Sequence, residues 1–256
     1  MNGFCAFLKK EWMEQFRSGR LMVVTVLFVL LGILNPAIAK LTPWLMEIMA
    51  EELAENGMQV TAVTVDALTS WTQFYKNIPL GLIAFLLLES SIFTKEYQSG
   101  PLILALTKGL ARNAVVAAKS VVLGILWSAG YWLCFAITCG YNALYWDNGV
   151  ACNLVFGGVC WWLLGLWVVL LLIFFSVTAK TNTGVLVGTG GVFLAVYLVG
   201  LIPKAKKFVP TMLLDSTALI YGSLETKAYT GAVAAAVALS VIILMASIPI
   251  FNRKQI

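Results

Sequence analysis

The sequence predicts an all-α polytopic membrane protein with a single transmembrane domain, residues 1–256, and three observations predict this class. Hydrophobic residues make up 61% of the chain and charged residues only 11%. Lys and Arg residues concentrate in alternate gaps between apolar stretches. Six such stretches approach the roughly 20 residues with which a helix crosses about 30 Å of hydrocarbon, and they lie at 21–39, 78–93, 114–140, 153–178, 184–202 and 229–251.

The distribution of charge predicts the orientation of these six spans. If the N-terminus is cytoplasmic, eleven of the seventeen basic residues lie inside, and eight of the twelve acidic residues lie outside. Cytoplasmic segments of membrane proteins are enriched in Lys and Arg. Both termini are therefore expected in the cytoplasm.

Several classes of activity are excluded by what the chain lacks. It contains no histidine, so imidazole catalysis and histidine metal sites are ruled out for this chain. It also contains no P-loop sequence for ATP. Its five cysteines lie mostly within the apolar stretches and are interpreted as small buried residues. We expect no enzymatic activity, metal, cofactor or nucleic-acid partner.

Residues 2–20 predict an amphipathic helix ahead of the first span. Phe4, Leu8, Trp12 and Phe16 recur every four residues, and charged residues occupy the other faces. Such a helix lies in the inner membrane interface. It serves either as a positive-inside anchor or as a contact for another protein.

Two external segments carry helical patterns of their own. In residues 41–77, Thr42 is expected to cap a separate amphipathic helix that begins at Pro43, and a second helix is expected from Asp66 into the second span. The acidic face of the first helix is a solvated surface or, alternatively, attracts a cationic substrate. Residues 203–228 predict a short re-entrant or interfacial hairpin.

The cytoplasmic loop at 94–112 carries the most specific signal. Pro101 is placed to begin a helix and Gly109 to end it, with about two apolar turns between them. An exposed apolar helix is unfavourable in water, so this one is expected to dock on another surface.

At this loop the chain resembles the type-2 ABC transporter permeases, membrane subunits that pair with separate ATP-binding subunits. In that family an amphipathic elbow helix precedes six spans. The positions that match the family's loop in order and spacing are Glu96, Gly100, Leu102 to Leu106, Arg112 and Lys119. Pro101 stands where Thr is common, and Ala118 where Gly is common.

The resemblance implies that the loop helix is a coupling helix seated in a cleft of an ATPase subunit. The expected coupling residues are Glu96, Gly100, Pro101, Leu102, Leu106 and Lys108, supported by Trp12 and Arg17 of the elbow helix. The Glu96 carboxylate is expected to meet the helix dipole and a basic group of the partner. The assembly implied is a bacterial plasma-membrane exporter of two permeases and two ATPases, in which the ATPases hold ATP and Mg.

Glu89 is an ionisable residue inside a predicted span, where an unpaired charge costs several kcal/mol. Antiparallel span three brings Lys119 or Arg112 to a similar depth, which predicts an intramembrane ion pair. The alternative is a conformational switch that opens during transport.

Aromatic side chains in spans three and four have two interpretations. They either pack the helices together or line a path for an amphipathic substrate. The residues are Trp127, Tyr131, Trp132, Trp161, Trp162 and Trp167. The expected substrate is a hydrophobic or amphipathic peptide, with a drug, a lipid-linked compound or an ion as alternatives.

Two other functional classes remain open at this stage. An ion-coupled secondary transporter needs intramembrane charges, of which Glu89 is one. A membrane immunity or assembly protein that transports nothing shares the hydropathy but needs no docked cytoplasmic helix.

Overall fold

The fold is described from a computed structural model of the chain. It describes residues 3–55, 65–94, 96, 106–107 and 109–254, with the backbone alone for 49–55. The α-helices are α1 (Gly3–Arg17), α2 (Arg20–Glu55), α3 (Ala67–Glu89), α4 (Arg112–Tyr145), α5 (Leu154–Thr178), α6 (Asn182–Gly200), α7 (Pro203–Lys206), α8 (Ser216–Ile220) and α9 (Thr230–Arg253). Short 3-10 turns occupy Asn148–Val150, Pro210–Leu214 and Thr226–Tyr229.

Five helices in the described part of the chain are long and apolar enough to cross a membrane. They cover Arg20–Ile48, Arg112–Tyr145, Leu154–Thr178, Asn182–Gly200 and Thr226–Arg253. Helix α3 has a comparable length, but Gln73, Lys76 and Asn77 make its first half polar. The chain is therefore an all-α multi-pass membrane protein, as predicted, and the count of six spans stays a prediction.

Helix α2 corrects the prediction of a separate external helix capped by Thr42. The helix is continuous, with Pro36 and Pro43 inside it, and the Thr42 hydroxyl donates to a carbonyl one turn earlier. A proline removes the hydrogen bond to the residue four positions before it. At Pro36 the carbonyl left free is that of Gly32, and the Thr138 hydroxyl of α4 donates to it at 3.0 Å. Neighbouring helices commonly satisfy such carbonyls in membranes.

The core between α2, α3, α4 and α5 contains aromatic rings that pack against one another. The ring of Trp127 meets those of Phe28 and Phe85 edge to face, each at 5.9 Å between centroids. Glycines allow this close approach. A Cβ atom added to Gly165 would lie 2.0 Å from the Trp127 ring, and one added to Gly130 would lie 2.5 Å from the Phe28 ring.

The chain ends meet at one end of the bundle, which we call the terminal end. There the start of α2 lies beside the end of α3, through Arg20 and Glu89. The start of α4 lies beside the end of α9, where Arg112 donates to the carbonyl of Phe251. The opposite end, the loop end, carries residues 146–153 and the short helices between α6 and α9. The charge distribution predicts that the terminal end is cytoplasmic.

Candidate functional site

Helix α1 packs on the bundle through a stripe of three side chains, two of which are polar. Phe7, Glu11 and Gln15, spaced four residues apart, are its buried side chains. Trp12 and Phe16, which belong to the predicted apolar face, are exposed. The C-terminal half of the predicted apolar face therefore turns outward, where a membrane interface would receive it, whereas Phe4 and Leu8 pack partly against the core. The polar stripe faces inward because buried charges of the bundle need partners there.

Lys119 of α4 is the centre of a buried ion network at the terminal end. Its side chain is 1% exposed, and its ammonium lies 2.8 Å from Glu11 Oε2 and 2.9 Å from Glu96 Oε2. It also donates to the backbone carbonyl of Ile92 at 3.0 Å. Lys119 therefore donates hydrogen bonds to Glu11 and to Ile92 and pairs with Glu96 by charge. One side chain thus joins α1, α4 and the start of the 94–112 loop.

Lys10 closes the network from the other side. Its ammonium contacts Glu96 and lies 2.9 Å from both Glu11 and Glu14. Burial alone would lower the pKa of Lys10, but its hydrogen bonds to Glu96 and Glu14 and the charge of Glu11 raise the pKa above its usual range. Three carboxylates close together are the type of cluster that holds metal ions. Here two lysine ammonium groups lie among them.

Glu96 is buried inside this chain, with only 4% of its surface exposed. Burial would raise the pKa of Glu96, but the charges of Lys119 and Lys10 outweigh it and hold the pKa below its usual value. The basic groups that meet Glu96 in the structure come from its own chain, and the expected contact with a basic group of the ATPase stays a prediction.

Glu89 corrects the predicted ion pair. Its side chain is fully buried, and its Oε2 atom accepts from Gln15 Nε2 at 3.0 Å and lies 3.4 Å from Arg20 Nη1. Lys119 makes its salt bridges with Glu11 and Glu96 instead. Arg20 is the nearer cation because α2 begins where α3 ends.

Arg112, the other predicted partner of Glu89, caps a helix. Its guanidinium donates to the backbone carbonyls of Phe251, Asn252 and Lys254, at 3.1, 3.2 and 2.6 Å. Phe251 and Asn252 lie in the last turn of α9 and Lys254 follows it, at the end of a helix where carbonyls lack intrahelical donors and cations are favoured. Arg112 therefore anchors the C-terminal segment to the start of α4.

An apolar groove of about 340 Å³ opens on the side of the bundle between α3 and α6. The floor comes from α5. Two lining residues carry polar side-chain groups: the Thr189 hydroxyl donates to a carbonyl of its own helix, and the ring nitrogen of Trp161 is buried without a hydrogen-bond partner among the described residues. The lining residues are Pro79, Leu82, Ile83, Leu86, Leu87, Trp161, Leu164, Val168, Leu186, Thr189, Gly190, Phe193 and Leu214. The groove is therefore suited to apolar groups.

A comparison with known families gives the functional context of this geometry. The family described as ABC-2 family transporter protein matches residues 5–253, nearly the whole chain. This chain belongs to the ABC-2 transporter family. No curated protein matches it significantly. An ABC-2 permease is the membrane subunit of an ABC transporter and pairs with an ABC ATPase subunit.

The predicted coupling residues of this ABC-2 permease have different placements. Gly100, Pro101, Leu102 and Lys108 lie outside the described residues. Leu106 is half-buried against the chain's own core. Trp12 is 36% exposed and packs on Phe16, and Arg17 is exposed. Among the predicted coupling residues that the structure describes, Glu96 alone belongs to the buried network.

The predicted aromatic path is mostly helix packing. Trp127 and Tyr131 are fully buried, and their polar atoms donate to the carbonyls of Trp162 and Gly158 on α5. The Trp162 ring nitrogen donates in turn to the Ser128 hydroxyl on α4. Trp167 is also buried, and Trp132 is partly buried. Trp161 is the member of this set that lines the apolar groove.

Proposed function

We propose that this chain is the permease subunit of a bacterial ATP-driven exporter, with both termini in the cytoplasm. In this proposal two permeases work with two ATPase subunits, which bind ATP and Mg. The observation that supports it best is Lys119, which joins α1, α4 and the start of the 94–112 loop in one buried network.

The network gives the loop a mechanical connection to the membrane helices. A push on the loop displaces Glu96. Separating Glu96 from Lys119 would leave a buried charge unpaired, which costs several kcal/mol. Lys119 lies about two turns into α4, so the displacement passes to that helix. Glu11 carries it to α1 at the same time. The loop, α1 and the inner half of α4 would therefore move as one lever.

The groove between α3 and α6 supports an apolar or amphipathic substrate. Its lining carries no charged side chain, which disfavours an ion. A second permease copy related by a two-fold axis would present an equivalent groove, and two grooves facing each other would form a central path. A peptide with apolar side chains is the proposed cargo, and drugs and lipid-linked compounds have the same compatible chemistry.

The assembly is tested by purifying the tagged permease from its native host with whatever ATPase subunit it binds. The proposal expects a P-loop protein in the complex, two copies of each subunit by native mass, and ATP hydrolysis that a transported peptide stimulates. A stable complex with one copy of each subunit that still transports would refute the homodimer. Transport that continues without ATP would refute the exporter.

The orientation is tested with the two exposed cysteines, which lie at opposite ends of the bundle. In intact cells a membrane-impermeant thiol reagent should label Cys152, at the loop end, and leave Cys5 of α1 unlabelled. Permeabilised cells, in which Cys5 should then react, provide the control. Labelling of Cys5 from outside would reverse the orientation.

A further inference from the structure

The outer arm of α2, residues 41–55, carries an apolar surface at residues 41–48, which no residue that the structure describes covers. Leu41, Trp44 and Ile48 lie on one face of the helix and are each at least half exposed. The arm continues beyond Lys40, whose ammonium lies 3.7 Å from the ring centroid of Tyr145 at the end of α4. Fifteen further residues extend α2 by about 22 Å. Lipid can cover an exposed apolar face within the membrane, whereas in water such a surface indicates a protein contact.

The same arm is strongly acidic. Glu47 is exposed beside the apolar face. The sequence of the arm also contains Glu51, Glu52 and Glu55, and it contains no basic residue.

A surface of opposite charge lies at the outer end of α6, and we call residues 201–208 the basic shoulder. Leu201, Ile202 and Phe208 are 62%, 55% and 70% exposed. Lys204 and Lys207 are exposed between them, and neither forms a salt bridge with any residue that the structure describes. The third lysine of the shoulder, Lys206, pairs with Asp215. The shoulder thus offers the arm both apolar contacts and opposite charge.

The arrangement of the helices keeps arm and shoulder apart within one chain. Helix α2 packs on α3 and α4, whereas α6 packs on α5 and α7. Helix α3 lies between α2 and the groove, and α6 forms the far wall of the groove. The two helices run in the same direction, so their outer ends reach the same side of the membrane. A two-fold axis would therefore bring each α2 against the other copy's α6, twice per dimer.

We propose that the outer arm of α2 docks on the basic shoulder of a second copy of this chain, outside the membrane. This inference rests on the proposed homodimer and names its external contact. Pairing of arm with arm would place like charges together, which is unfavourable. Pairing of arm with shoulder satisfies both apolar surfaces and both charges. The apolar residues supply most of the stability, and the charges determine which surfaces meet.

Cross-linking between two differently tagged copies tests the contact. In a Cys5→Ser, Cys152→Ser background, one copy carries Glu47→Cys and the other Lys207→Cys, and a short bis-maleimide joins neighbouring thiols. We expect a product that links the two tags at these positions. A product that joins two copies of Glu47→Cys would overturn the proposal, as would absence of the mixed product from a complex that is dimeric by native mass.

Charge reversal provides a second test that does not depend on the cross-linker. Glu47→Lys should raise the dissociation constant of the dimer, measured by dilution, by about fivefold, since two weak exposed pairs are lost per dimer. Adding Lys207→Glu should restore it, and Glu225→Lys, an exposed acid outside the arm, should have no effect. Failure of the double reversal to restore the dimer would overturn the contact. Association with the ATPase is measured in parallel: a dimeric, ATPase-bound permease without this contact leaves the proposed function standing, whereas a monomeric permease refutes the homodimer itself.

Discussion

Replacing Lys119 by Met removes the central cation of the buried network and leaves its carboxylates without their main partner. The Lys119 side chain is 1% exposed, and those of Glu11 and Glu96 are 3% and 5% exposed. Breaking a buried ion pair from one side costs about 3–5 kcal/mol. For a chain of this size that corresponds to a fall in melting temperature of about 6–20 °C.

The assay is thermal unfolding of the purified permease in detergent, followed by tryptophan fluorescence. Lys9→Met provides the matched control, because Lys9 lies on α1 and is exposed. The control should unfold within about 0.5 kcal/mol of the wild type, as surface substitutions usually do. A Lys119→Met variant as stable as the control would refute the buried network.

Three further predictions concern other parts of the molecule. Leu102→Asp places a charge on the expected docking helix, so it should prevent association with the ATPase while leaving the melting temperature of the permease unchanged. Co-purification measures the association, and retention of the ATPase by the variant would contradict the prediction. Gly165→Val should lower the melting temperature or prevent folding, because even a Cβ atom at this position would lie 2.0 Å from the Trp127 ring; Gly190→Val is the control, since nothing lies within 4 Å of a Cβ atom there. The pKa of Glu96 is lower in the folded protein than its usual value of about 4.3. The ionised carboxylate therefore stabilises the fold above that usual pKa, and this stabilisation is lost as the pH falls through the pKa of the folded state. The melting temperature should fall in acid less steeply for Glu96→Gln than for the wild type.

The fold class could be predicted from the sequence because membrane-spanning helices are recognisable from their composition alone. Long apolar stretches and the distribution of basic residues reflect the bilayer and need no tertiary information. Helix α2 was harder, because Thr42 and Pro43 form a normal helix-start signal. In the structure the helix continues through this signal. Hydroxyl groups donate to backbone carbonyls of α2, and one of these hydroxyls belongs to Thr138 on another helix.

The ion pairs of the candidate site depended on details that periodicity does not provide. The sequence placed Glu89 at a depth where a cation was needed, but several cations lay at that depth. Arg20 could have been preferred, because it begins the helix that runs antiparallel to the end of α3. The spacing of Glu11 and Gln15 indicated that they are buried, because they follow Phe7 at intervals of four residues. This signal is easily missed, since polar residues on an amphipathic helix are normally assigned to solvent.

The aromatic residues show a different limit. Trp127 and Trp161 both lie in apolar helices, and no sequence pattern separates a packed ring from one that lines a groove. Trp127 is enclosed because Gly165 leaves room for its ring. Trp161 reaches the groove because α6 packs on one side of α5 and leaves a gap towards α3. This distinction requires the relative positions of three helices.

In the proposed mechanism the ATPase acts on the membrane helices through the contact between Glu96 and Lys119. The most direct test of this claim is Glu96→Gln in the purified complex with its ATPase, reconstituted in liposomes, with peptide transport and ATP hydrolysis measured together. We expect the variant complex to assemble and to hydrolyse ATP, while peptide transport is lost and peptide no longer stimulates hydrolysis. A Glu96→Gln complex that transports peptide and responds to it like the wild type would contradict the claim.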